Sequence, residues 1–182
     1  MHVLTSEFFW GVIVGVVLTG IGAWLQALFV IWRQQKAQKE LIRNFCIDTV
    51  KNIRTIVDDM VDHRQRTQGI HGDYLALLDI ELNVFGRNRE QLTHLPNPVR
   101  ENVRKFVTDC AIRRGEIGTN IAQFSRLRTL ADQMQSQGHG PEAQRMSTQA
   151  NVPLASANQA LNQLASRVKD STDLVNSLQQ MR

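Results

Sequence analysis

Asp58, Asp59, Asp62, His63, His71 and Asp73 crowd into one short span, and carboxylates mixed with imidazoles are a donor set for zinc or iron. A di-iron centre in a helical protein places Glu-x-x-His pairs on facing helices, so that both donors of a pair reach the same ion, and the sequence has no such pair. These acids and histidines precede and enter "HRQRTQGIHGD", where a helical pattern runs out, and the expected role is a solvated helix end. His94 and His139 fall in or beside loops without an identifiable partner. No phosphate-binding glycine loop, nucleophile elbow or metalloprotease pattern occurs; "SQGHGPE" follows a helix and lacks the Gly-Lys-Ser/Thr ending that cradles phosphate. Catalysis, a metal and a cofactor are therefore not expected. Cys46 and Cys110 lie on apolar helical faces and read as small buried hydrophobes in a reducing compartment.

Basic residues form the second candidate group. The 182-residue chain has 21 Lys and Arg against 17 Asp and Glu, a net charge of +4. Arg87 and Arg89, Arg100 and Arg104, and Arg113 and Arg114 come in close pairs, but they are mixed with Glu90, Glu101, Asp109 and Glu116. Phosphate tracking wants basic side chains gathered on one face, with aromatics beside them when the strand is single. Here the nearby aromatics belong to an apolar stripe, so a salt-bridged solvent face is expected in place of a nucleic-acid surface.

The chain's hydrophobicity is concentrated at its start. Residues 8–32 contain no charged side chain, and about 20 apolar residues suffice to cross a bilayer. A single transmembrane helix is expected over 8–32, after a short tail at 1–7. Trp10 and Trp32 are 22 residues apart, about 33 Å along a helix, and suit the two interfaces. A cleaved signal peptide would need a basic start and a shorter apolar core. Every Lys and Arg instead follows the apolar run, led by Arg33, Lys36, Lys39 and Arg43. The positive-inside bias then puts the N-terminus outside and the body in the cytoplasm, as in a bacterial inner-membrane protein touching anionic lipid. Within "GVIVGVVLTGIGA" and just after it, Gly11, Gly15, Thr19, Gly22, Ala23 and Gln26 share an arc of about 120°. Small residues on one face let membrane helices approach closely, so this face is expected to join copies of the chain in a homo-oligomer.

The rest of the chain must form the body at 33–182. Cys46, Val50, Ile53, Val57 and Met60 alternate spacings of 4 and 3, the seam of a helix packed on other helices. "YLALLDIELNVF" predicts a second helix with Tyr74, Leu77, Leu78 and Phe85 on or near one face. In "PNPV", Asn97 suits a cap and Pro98 the first helical position. "QGHGPE" predicts a loop, then a short helix that the proline of "NVPL" should end or kink. The final seam is the most regular: Leu154, Ala157, Leu161, Leu164, Val168, Val175 and Leu178. Helices are expected at about 33–66, 70–86, 98–136 and 154–180, and no period-two pattern predicts a strand. The fold class is all-α, one membrane helix followed by an antiparallel bundle. A short external tail, one anchor and a helical cytoplasmic region resemble the layout of the b subunits of rotary ATP synthases. The chain departs from them in lacking an extended Ala/Glu/Lys-rich stalk and in having turns that fold it back. The expected function is a scaffold, tether or signal relay that associates with itself or an unidentified protein. The alternative is a pore-forming effector, an oligomer with Thr19 and Gln26 lining its path.

Overall fold

The structure, a computed structural model, describes the backbone of residues 3–181 and the side chains of residues 21–181. Every regular element among them is helical. Helix α1 spans Val3–Thr67, and its length follows from composition: no proline precedes Pro96 and no glycine lies between Gly22 and Gly69. Gln68 ends it in the left-handed region, at φ 59°, with its N–H donated to the Arg64 carbonyl at 2.8 Å. Helix α2 spans Gly72–Arg87, and its N-cap His71 accepts the Asp73 N–H on Nδ1 at 3.5 Å. A 3₁₀ helix, Arg89–His94, leads to α3, Asn97–Ser136. Gly138, at φ 85°, makes the turn into α4, Gly140–Lys169, and α5 covers Thr172–Gln180.

The chain divides into two compact units, Met1–Leu41 and Ile42–Arg182. In the second, side-chain contacts fix an antiparallel order. Phe45 stacks on Phe85 at 6.3 Å, Asn52 donates to Glu81 at 3.2 Å, and His63 meets Tyr74 at 5.5 Å, so α2 runs back along α1. Arg43 donates to the Met181 carbonyl at 2.8 Å and Arg64 to Asn162 at 2.9 Å, so α4 and α5 also oppose α1. The Arg114–Asp79 pair ties α3 to α2. Between them the helices bury Cys46, Val50, Ile53, Val57 and Met60 from α1, Leu78 from α2, Val103 and Ile117 from α3, and Leu161, Leu164 and Val168 from α4.

Beyond Ile121, α3 and α4 continue as a two-helix arm. Its interface buries Ala131, Ala143, Ala150, Pro153 and Ala157, none of them part of the main core cluster. Ala143, Ala150 and Ala157 lie one heptad apart, and small side chains at that spacing let two helices pack closely.

Four sequence expectations change. The proline of "NVPL" does not end a helix, since Pro153 lies inside α4. Its ring is buried against the arm, and Gln149, whose carbonyl loses its i+4 donor, is exposed to water. The expected last helix, 154–180, is two helices, because the ladder breaks at Asp170 and Ser171; Ser171 turns its hydroxyl to the Val168 carbonyl at 2.6 Å. Pro96, not Asn97, holds the cap position of α3, and Pro98 occupies its first turn. On α2, Leu77 points outward, and Leu75 is buried with Leu78 and Phe85.

Candidate functional site

The first unit carries the chain's most unusual surface. From residue 21 to residue 32 every described side chain is exposed, including Trp24 at 62%, Phe29 at 61% and Trp32 at 58%. A stripe would mark one docking face, but here the apolar side chains ring the helix. Gly22, Ala23 and Gln26 lie on this stretch, and nothing stands within 4 Å of a side chain built at Gly22. Trp10, Gly11, Gly15 and Thr19 lie outside the residues whose side chains are described. Among the described residues, no helix is long and apolar enough to cross a membrane.

At the end of the apolar stretch, the Lys36 ammonium sits 5.5 Å over the Trp32 ring, and Phe29 packs at 6.2 Å from the same ring. The ammonium is attracted to the face of the indole one turn away on the exposed surface of α1. Arg33 and Lys39 are exposed beside it, while Arg43 belongs to the second unit and donates to the Met181 carbonyl there.

The terminal seam has an internal use. Leu161, Leu164, Val168 and Leu178 are buried in the bundle and Ala157 in the α3–α4 arm, with Leu154 and Val175 half-buried, so the seam is occupied by the chain's own helices. The paired arginines behave as a salt-bridged face over most of their length. Arg113 meets Glu116 at 2.6 Å, Arg167 meets Asp109 at 3.0 Å, and Arg104 meets Glu101 at 3.5 Å. Arg87 and Arg89 are different: both are exposed, and neither forms an ion pair with a described residue.

The histidine cluster assembles in part. His63 and His71 lie 5.7 Å apart ring to ring, and His71 Nδ1 is 3.2 Å from Asp73. Among the described residues no group of three or more His, Cys, Asp or Glu is placed to hold a metal ion. Cys46 and Cys110 are free, fully buried thiols. Burial pushes both up to about 12, and at Cys110 the neighbouring Asp109 carboxylate pushes the same way while Arg167 opposes.

Comparison with protein-family models, curated proteins and solved structures finds no match to this chain.

Sequence reasoning missed one surface. Leu77, Ile80 and Val84 form an exposed apolar stripe on α2, with spacings of 3 and 4. The signal was present, because "LALLDIELNVF" holds two such seams: one through Leu75, Leu78 and Phe85, the other through these three.

Proposed function

We propose that this chain is a single-pass membrane-anchored helical scaffold, a tether or relay that works by assembling with itself or with a protein partner and carries out no catalysis. The observation that supports the anchor is the exposed apolar ring at residues 21–32 of α1. Each large apolar side chain left in water forgoes about 1.5–3 kcal/mol. Eight such side chains on this stretch forgo on the order of 10–20 kcal/mol. That is comparable with the whole stability of a domain, about 5–15 kcal/mol, so water is the wrong solvent for this segment. Hydrocarbon is the right one, because a helix satisfies its own backbone. The apolar run of residues 8–32 has the length for a span, with Trp10 and Trp32 near its two ends.

Self-association follows from the Gly11, Gly15, Thr19, Gly22, Ala23 and Gln26 face, on which a second copy's helix could approach closely. Relay follows from α1, which belongs to both the anchor and the bundle and would couple events at one end to the other. The test of the anchor is extraction and topology in bacterial inner-membrane vesicles. The protein should stay with lipid through an alkaline carbonate wash, and in inverted vesicles protease should remove the region from Arg33 onward. Release by carbonate, or protection of the C-terminal region in inverted vesicles, would contradict the proposed anchor and its orientation.

A further inference from the structure

We propose that the end of the bundle where α1 enters docks on anionic phospholipid headgroups through Arg87 and Arg89, an inference that rests on the membrane-anchor reading above. The contacts of Phe45 with Phe85 and of Arg43 with Met181 gather the end of α2, the 3₁₀ helix and the end of α5 around the start of the second unit. Arg87 and Arg89 flank the corner between α2 and the 3₁₀ helix. Both guanidiniums are exposed, and among the described residues neither has a carboxylate partner, whereas Arg54, Arg104, Arg113, Arg114 and Arg167 each have one.

The paired groups nearby do not cancel this charge. Glu101 serves two guanidiniums at once, Arg100 at 3.9 Å and Arg104 at 3.5 Å, and Glu90 is the only other carboxylate along the 3₁₀ helix and the start of α3. The opposite end of α1 has the reverse balance, with Asp58, Asp59, Asp62 and Asp73 against Arg64 and Arg66. Unpaired positive charge therefore lies at the end of the second unit that begins at Ile42. Ile42 comes only ten residues after Trp32 in the chain, so the link between the proposed anchor and the second unit is short. Val84, exposed one turn before Arg87, adds an apolar foothold.

A nucleic acid fits this corner poorly. Phe85, the aromatic beside it, is buried and cannot stack on a base, and Tyr74 lies at the other end of α2.

The experiment uses the full chain in lipid nanodiscs with a fluorophore on Gln91→Cys. Gln91 is exposed, while the two natural cysteines are buried and stay unlabelled. Quenching by a nitroxide carried on lipid headgroups reports docking. Strong quenching is expected in discs containing phosphatidylglycerol, with weak quenching in pure phosphatidylcholine and at high salt. Arg87→Gln/Arg89→Gln should lower the docked-to-free ratio about thirtyfold, at about 1 kcal/mol for each arginine. An unchanged melting temperature and helix content would show that the variant is folded. Equal quenching in both lipids, no quenching in either, or full quenching of the folded variant would overturn the proposal. If the chain fails to enter discs of any composition, the anchor reading fails first and the docking falls with it.

Discussion

Cys46 and Cys110 stabilise the bundle only as neutral thiols. Each is held by burial well above its ordinary value of 9.0, near 12, so the folded chain keeps these protons where the unfolded chain would lose them. The thiol contribution is therefore complete below about pH 9 and is lost as pH rises from there towards 12. A Cys46→Ala/Cys110→Ala variant should melt below the wild type at pH 8, and the gap should narrow between pH 9.5 and 11. A constant gap would show that the thiols do not report folding. Aromatic disulfide reagents should label neither cysteine in the native protein and both after unfolding. The two faces of α2 offer a sharper contrast. Leu78→Ala is expected to cost about 2–5 kcal/mol, and Ile80→Gln, at a position 57% exposed, within about 0.5 kcal/mol, measured by denaturant unfolding in detergent. Leu77 shows why this face was not legible. Its neighbours are apolar on both sides, so a periodicity count fits it to either seam, and only the placement of α1 and α3 decides.

At the scale of elements, the alternating 4 and 3 spacing from Cys46 to Met60 was fully legible, because every one of those positions meets another helix. Pro153 was not. Local chemistry charges a proline inside a helix about 3 kcal/mol, and only the buried α3–α4 contact, formed with residues twenty or more positions earlier, offsets it. The same contact explains the alanine repeat. Ala150 is fully buried between the two helices of the arm, and Ala150→Leu should force them apart and cost about 1–3 kcal/mol. Hydrogen exchange should then quicken along the arm, residues 122–150, while the amides around Ile53 and Leu164 stay protected. Uniform loss of protection would mean that the arm and the bundle form one cooperative block. The break at Asp170 and Ser171 was also hidden, since the heptad spacing of apolar residues runs on from Val168 to Val175 without registering a change of helix.

At the scale of the whole molecule, the second unit buries the seams of α1, α3 and α4 among its own helices and leaves the Leu77, Ile80 and Val84 stripe of α2 exposed. The terminal heptads fill the core, so the proposed assembly has to use surfaces elsewhere: the glycine face of the proposed anchor first, with the Arg87 and Arg89 corner as its proposed support on lipid. Composition made the uncharged apolar run of residues 8–32 legible, because a run without charge is a property of consecutive residues. The role of the arginine corner was not legible, because it depends on which arginines find carboxylates after folding. The decisive measurement is the native mass of the full-length protein in lipid beside a Gly11→Leu/Gly15→Leu variant. A defined oligomer that the variant loses, with its helix content unchanged, is the expected result, and the copy number separates a dimeric relay from a larger ring. A wild type that is monomeric at every protein-to-lipid ratio, or a variant that assembles equally well, would contradict assembly through the anchor.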